Sequence, residues 1–378
     1  MPIETVLTNA RIVLADEVIH GTVQIRDGKI CDISAISAQG EDMDGDFLIP
    51  GLVELHTDHL EGHYAPRPRV RWNPIAAVLA HDAQVATAGI TTVFDALRVG
   101  LDGDADMRAE EMRHLADAIE DSVRKDRLRA DHFIHLRCEV SAPDCLEGFA
   151  LFDGDERVRL ASLMDHAPGQ RQFTSLEAYA VYYKGKQKMS DDVFAAFCER
   201  RIAESEANSP VNRAAIAQAC NARGIILASH DDATVEHVDE AIAQGIRVAE
   251  FPTTAAAAKA SKDAGLGVLM GAPNVVRGGS HSGNVSARTL AEGGMLDILS
   301  SDYIPFSLIQ SAFFLSEVVD AVSLPQAVAM VSKNPAEAVG LHDRGQIEIG
   351  RRADMVRVRL DEHIPVVRTV WREGRRVA

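Results

Sequence analysis

The chain has 378 residues, 46% of them hydrophobic and 25% charged, with a net charge of −17. That length suits two or three domains, or one barrel of more than about 250 residues with an appendage, and the composition is that of a globular protein with a large core. The acidity excludes a general nucleic-acid binder, which needs a positive surface to displace counterions from phosphates, but it leaves room for a small polyanion where basic residues gather locally.

The N-terminal "MPIETVLTNARIVL" has no basic n-region and runs straight into alternating strand-like residues, so no signal peptide is expected. Residues 3–49 read as short strands broken by turns, with Asp27-Gly28 a strong hairpin cue. Beyond Pro50-Gly51 the pattern changes. Eight apolar runs follow: "GLVELHTDH", "GITTVFDAL", "HFIHLRCEV", "LASLMDH", "GIILASHDD", "RVAEFPTT", "LGVLMGAPN" and "LDILSSDY". Amphipathic stretches such as Ala105–Lys125 and Asp232–Gln244 separate most of them, and Ala255–Ala258 is a strong helix start. No apolar run nears the roughly 18 residues that span a bilayer. Strands buried on both faces and alternating with helices indicate a parallel sheet, and eight in one stretch a (β/α)8 TIM barrel of α/β class. The tail returns to strands, "GQIEIGRRADMVRVRL" and "PVVRTVWREGRRV", with a turn at Glu373-Gly374. The expected organisation is a barrel over 50–344 and a small β-sandwich domain built from both termini, 1–49 with 345–378. The five cysteines, Cys31, Cys138, Cys145, Cys198 and Cys220, are odd in number and lack C-x-x-C spacing. Reduced thiols in the cytoplasm are therefore expected, without a disulfide framework or a structural zinc site.

Nearly every barrel strand ends in His, Asp, Glu or Asn, at the face where such barrels carry their active sites. His56 and Asp58 stand at i and i+2, so on a strand both point to one face, where such a pair can chelate a divalent cation. His230 ends "LASH", Asp302 follows "ILSS", Glu139 follows "HLRC", Asp165-His166 closes "SLMDH" and Glu250 closes "RVAE". Singly, each is as easily a helix cap or a buried hydrogen-bonded pair. Together they put more charge at one mouth than burial tolerates without compensation, which a divalent cation supplies. Mixed nitrogen and oxygen donors suit Zn2+, Mn2+, Fe2+ or Co2+, one or two ions.

The loops after several strands are basic. Arg67, Arg69 and Arg71 follow the first, Arg171 with Lys184, Lys186 and Lys188 the fourth, and Arg277 the seventh, just before a Gly-Gly-Ser turn and His281. Such loops suit a substrate with several negative charges, and for Lys186 and Lys188 solvated surface charge is an equal reading. His81-Asp82 opens a helical run and is read as structural, whereas His59, next to the first-strand pair, could support ligands from behind.

The opening "IPGLVELHTDH" resembles the first-strand motif of the amidohydrolase superfamily, and "KNPAEAVGLHDRGQIEIGRRADMVRV" its C-terminal signature. "HDAQVATAGITTVFDA", "SLMDHAPGQRQF", "ASHDDAT", "EFPTT" and "NVVRGGSHSGN" are similar to the ribose-phosphonate triphosphate diphosphatase branch of that superfamily. This resemblance spans essentially the whole chain. It implies metal ligands among His56, Asp58, Glu139, His166, His230, Glu250 and Asp302, with Asp302 the general base. Glu139 would take the bridging place, Asp58 stands where most of the superfamily has histidine, and His166 or Glu250 would replace the missing sixth-strand histidine. It also implies substrate contacts from Arg69, Arg171, Lys184, Arg277 and His281. The implied reaction is hydrolysis of α-D-ribose 1-methylphosphonate 5-triphosphate to the 5-phosphate and diphosphate, in phosphonate catabolism. The implied partners are that phosphorylated ribose and further copies of the chain, as a dimer or tetramer, with no nucleic acid and no membrane. Cyclic-amide or N-acyl hydrolysis is the alternative chemistry, and a non-catalytic barrel without metals is the alternative role.

Overall fold

Two sheets, each of eight strands, carry the architecture in the computed structural model, which describes residues 4–101, 107–171, 179–180, 190–279 and 283–378. The first is made from both ends of the chain. Its N-terminal strands are β1 (Glu4–Val13), β2 (Val18–Arg26), β3 (Lys29–Ser34), β4 (Glu41–Asp42) and β5 (Phe47–Pro50). Its C-terminal strands are β14 (Met355–Asp361), β15 (Ile364–Arg372) and β16 (Arg375–Arg376), and the order is β16-β15-β14-β5-β1-β2-β3, with β4 beside β1. Both hairpin cues fold as read. Asp27 and Gly28 take φ of 50° and 78°, and Glu373 and Gly374 take 49° and 70°, the left-handed pair that matches a right-twisted ribbon. The sheet curls so that its two ends meet: Val23, Ile25 and Ile30 share one core with Met355 and Trp371, and Ile30 N–H donates to Arg351 O at 3.0 Å.

The second sheet is the barrel: β6 (Leu52–Thr57), β7 (Ile90–Val99), β8 (Asp131–Glu139), β9 (Val158–Met164), β10 (Ile226–His230), β11 (Val248–Glu250), β12 (Gly267–Gly271) and β13 (Ile298–Ser300). All eight expected runs are strands, and each pairs in parallel with its neighbours in chain order. An isolated bridge between Thr57 and Asp302 closes the ring. Ser300 Oγ lies 2.6 Å from both Glu54 Oε1 and His56 O, so side chains hold the seam where a ladder is short.

Twelve helices lie among the described residues: α1 (His59–Tyr64), α2 (Pro74–Thr87), α3 (Ala109–Arg124), α4 (Cys145–Ala150), α5 (Asp191–Arg223), α6 (Val235–Ala243), α7 (Ala255–Asp263), α8 (Ala272–Arg277), α9 (Ala287–Glu292), α10 (Ser307–Val318), α11 (Leu324–Ala329) and α12 (Lys333–Ala338). Their starts follow capping chemistry. Thr234 and Thr254 accept from the third residue on, as does Asn73, which with Pro74 starts α2 seven residues before His81. His81 is thus mid-helix, not at a helix start as read from the sequence, because the Asn-Pro cap lies upstream of the apolar run. No helix among the described residues is long and apolar enough to cross a membrane.

The α5 helix lays a polar stripe on the barrel. Ser205 and Ser209 donate to Asp165 Oδ2 at 2.8 and 2.6 Å, and Asn212 donates to Val140 O and Ala142 O. At the opposite end of β8, Asp131 joins the two sheets, meeting Arg344 at 2.7 Å, Arg352 at 2.8 Å and Arg372 at 3.3 Å. Burial would raise its carboxyl, but the three guanidiniums outweigh that and hold it below its ordinary value.

Asp131→Asn is expected to cost about 2 kcal/mol, read as a lower urea midpoint. A carboxyl depressed by folding contributes stability above its unfolded value of about 3.9, and that contribution is lost as pH falls through the lower folded value. The gap between wild type and variant should therefore be full at neutral pH and close in acid.

Candidate metal centre

The ends of β6, β10 and β11 bring His56, His230 and Glu250 together, with one potential ligand atom from each inside a 4.8 Å sphere of mutual distances. Parallel register does this, since His230 is paired with Glu250 across β10 and β11. Glu250 Oε2 lies 3.3 Å from the Nδ1 of both His56 and His230, while its Oε1 is buried without a hydrogen-bond partner. The two rings stand 5.7 Å apart, and Phe251 packs 5.2 Å from each. Burial foremost drives both imidazoles down to about 3, which keeps them neutral with a lone pair available.

A second group shares His230 and adds His166 and Asp231. Asp231 Oδ2 lies 3.4 Å from His230 Nε2 and 3.8 Å from His166 Nε2, and it too is buried without a hydrogen-bond partner. Its backbone takes φ of 57°, a left-handed conformation that aspartate tolerates and that turns the carboxylate back over the strand end. Burial raises this carboxyl to about 7, opposed by His166. His166 is oriented from behind: its Nδ1 donates to Glu139 Oε2 at 2.6 Å, leaving Nε2 to face Asp231. Glu139 also accepts from Ser141 Oγ, from the His166 backbone at 3.1 Å and from Arg201 Nη2 at 3.4 Å. Burial would raise Glu139, but His166 and Arg201 outweigh it and bring the carboxyl to about 2.

Asp58 sits apart from both groups. The strand stops at Thr57, and Asp58 becomes the N-terminal cap of α1, its Oδ2 accepting from Arg137 Nη1 at 3.1 Å. Asp302 is at the seam, its N–H donating to His56 O at 3.2 Å and its φ at 56°. Burial first, then the charge of Asp58, raises its carboxyl to about 7, so near neutrality it can both take up and release a proton.

Among the loop candidates, Arg171 is buried and donates to Asp232 and, at 2.5 Å, to Glu240. Arg69 and Arg277 are exposed, and Lys184 and His281 lie outside the described residues, as do Lys186 and Lys188. Five residues at the mouth escaped the sequence reading. Asp231 was hidden beside His230 in "SHDD", and Arg137 stands two positions before Glu139 on the same strand face. Glu54 accepts from Ser301 N at 2.6 Å and His56 N at 2.7 Å, His135 donates or accepts at Ser162 Oγ at 2.7 Å, and Arg201 comes from α5 with no local signal.

A third group, His81, Asp95 and His132, lies on the helix side of the wall. Phe94 packs inward with Leu55, Leu160 and Leu269, so Asp95 points outward. It takes His81 Nε2 at 2.7 Å on one oxygen and His132 Nδ1 at 2.8 Å on the other. Burial opposes a charge on His132, but Asp95 and Asp82 outweigh it and raise the ring to about 9.

The donors at the mouth fit a divalent cation: neutral imidazoles, and two buried carboxylate oxygens that nothing in the protein satisfies. A model of the amidohydrolase family, which is generally metal-dependent, matches residues 83–378. The chain is 46% identical over 377 residues to the α-D-ribose 1-methylphosphonate 5-triphosphate diphosphatase of Escherichia coli (strain K12), covering 98% of this chain and 100% of that one. Among solved structures, the N-acetylglucosamine-6-phosphate deacetylase of Thermotoga maritima superposes with a TM-score of 0.59 at 15% identity, covering 99% of each chain. The dihydropyrimidinase of Brevibacillus agri does so at 0.57 and 15%, covering 99% of this chain and 95% of that one. Those two likenesses establish the barrel with its appended sheet, and the family match and the full-length identity go further: this chain belongs to the amidohydrolase family.

Proposed function

We propose that the chain is a metal-dependent hydrolase of a phosphoric anhydride bond, converting α-D-ribose 1-methylphosphonate 5-triphosphate to the 5-phosphate and diphosphate. The observation that carries this is the 46% identity along nearly the whole chain to a protein of that activity. The substrate is a small phosphorylated sugar, and the barrel over 50–344 carries the chemistry while 1–49 and 345–378 brace it.

His56, His230 and Glu250 are the first ligand set, supported by their mutual distances, and His166 with Asp231 extends it around the shared His230. Glu139 fixes the tautomer of His166, and Asp58, tied to Arg137, borders the set. Zn2+, Mn2+ and Fe2+ all suit these donors. A bound divalent ion supplies Lewis acidity and makes a water acidic enough to act near neutral pH. Asp302, buried and poised near pH 7, would accept the proton of the attacking water and return it to the leaving diphosphate. Arg137 sets the charge of the floor, offsetting Asp58 and Asp302. Its Nη1 holds Asp58, while its Nε is buried with no hydrogen-bond partner. Arg171 reaches substrate only by exchanging Asp232 or Glu240 for phosphate, whereas Arg69 and Arg277 are exposed and can approach the outer phosphates freely.

The test is diphosphate release by zinc- or manganese-loaded protein from the ribose triphosphate, with ATP and a dihydropyrimidine amide in parallel. Release from the ribose triphosphate with the amide untouched is expected; amide hydrolysis without diphosphate release would overturn the reading. Asp302→Asn should keep its fold and lose roughly 10²–10⁴-fold in kcat. A protonated Asp302 cannot accept a proton, so wild-type kcat/KM should fall as pH drops through a value at or below about 7, since a bound cation can only lower it, and that limb should vanish in the variant. Glu250→Gln removes the charge between the two histidines and should weaken metal retention at least 10-fold, read by metal analysis after dialysis.

A further inference from the structure

Three imidazoles, one of them His81, meet on the flank of the barrel. His59 and His63 stand one turn apart on α1, and His81 is on the adjoining α2. Their ring centroids are 5.0 Å (His59 to His63), 6.1 Å (His59 to His81) and 6.0 Å (His63 to His81) apart. Three imidazoles on one tetrahedral zinc, with Zn–N bonds of about 2.0–2.1 Å, have centroids roughly 5.3 Å apart. Two of the three spacings are wider than that, and the ring nitrogens are not gathered within the 4.8 Å that the groups at the mouth meet, so the rings must draw together for an ion to bind.

Two further observations point to a cation. The Nε2 atoms of His59 and His63 converge on one point, Gln84 Oε1, at 2.9 and 3.2 Å. Meanwhile His81 Nε2 is bonded to Asp95 Oδ1 at 2.7 Å, so its Nδ1 carries the lone pair, and that atom is buried with no hydrogen-bond partner. A carboxylate behind one ring nitrogen and an open lone pair on the other is how ligating histidines are oriented and made basic. Because His59 and His63 are only half-buried, their rings can turn the remaining distance at little cost in packing.

We propose that His59, His63 and His81 form a second divalent-metal site, separate from the mouth, for an ion of borderline softness such as Zn2+. The fourth position falls to Gln84 Oε1 or water. Such an ion cross-links α1 to α2. Since α1 starts at its cap, Asp58, occupancy also fixes the loop that holds Asp58 against Arg137.

The test is equilibrium dialysis of chelator-stripped, full-length protein against Zn2+ alone, with bound metal measured per chain. The variants are His63→Ala, His59→Ala and His230→Ala, the first two half-exposed and checked for folding by circular dichroism. At equal free zinc, His63→Ala and His59→Ala should each hold one ion fewer than wild type. His230→Ala should lose zinc from the mouth yet keep the flank ion, so that zinc still raises its Tm, an increase abolished by adding His63→Ala. Identical stoichiometry in wild type, His63→Ala and His59→Ala would overturn the proposal, as would a His230→Ala protein that binds no zinc. Neither outcome depends on which substrate the mouth hydrolyses.

Discussion

The carboxylate of Glu250 has no water to face. Its Oε2 is shared between two neutral imidazoles and its Oε1 has no hydrogen-bond partner, in a place where an isolated charge is costly. Much of the mouth can be read as a response to that constraint. The rings of His56 and His230 are held neutral by the same burial. Glu139 pins His166, Arg201 is drawn from α5 to offset Glu139, and Arg137 offsets Asp58. Two carboxyls whose burial outweighs the positive charge near them, Asp231 and Asp302, are pushed up to about 7. A site assembled in this way is unfinished as protein alone, and a divalent ion is the group that its donors lack.

The barrel handles imidazoles in two opposite ways. His56 and His230 are desolvated with too little negative charge nearby, so each stays neutral and a potential ligand. His132, equally buried, has Asp95 at 2.8 Å and Asp82 at 3.4 Å, and there the Coulomb gain exceeds the desolvation cost, leaving an imidazolium that can hold structure but not metal. Burial alone decides nothing about a histidine. What decides is whether the carboxylates beside it are close and themselves charged: Asp231, 3.4 Å from His230, is pushed up to about 7 and offsets little, whereas Asp95 and Asp82 are held below their ordinary values.

That difference also marks what a sequence can disclose. The strands were legible because β-branched apolar runs and Asp-Gly or Glu-Gly turns act locally. His56, His230 and Glu250 were legible because each closes such a run. Which of the mouth residues fall into one group was not, since that rests on the parallel register that sets His230 beside Glu250 and on a ring closed between residues far apart in the chain. Asp58 illustrates the limit. Two-residue periodicity puts it on the face of His56 only while the strand lasts, and the strand ends one residue too soon. Arg201 lies in a helix of 33 residues whose polar stripe has meaning only once α5 is laid against β8 and β9. Arg171 read as a loop cation for substrate and lies buried between Asp232 and Glu240, because charge sign is visible in a sequence but charge pairing is not.

The seam of the barrel carries a consequence for how the chain assembles. Each other strand pairs with its neighbour in sequence, but Glu54 and Ser300 are 246 positions apart, and closing a loop of that length costs roughly 5 kcal/mol of chain entropy beyond a constant. Seam contacts therefore repay their cost only after the intervening strands have shortened the path, which makes closure a late event. Contacts formed after the rate-limiting barrier slow unfolding without hastening folding. Because Asp302 meets His56 only there, a half-made barrel has no complete mouth, and the interactions of the finished mouth act chiefly on how long the closed barrel survives.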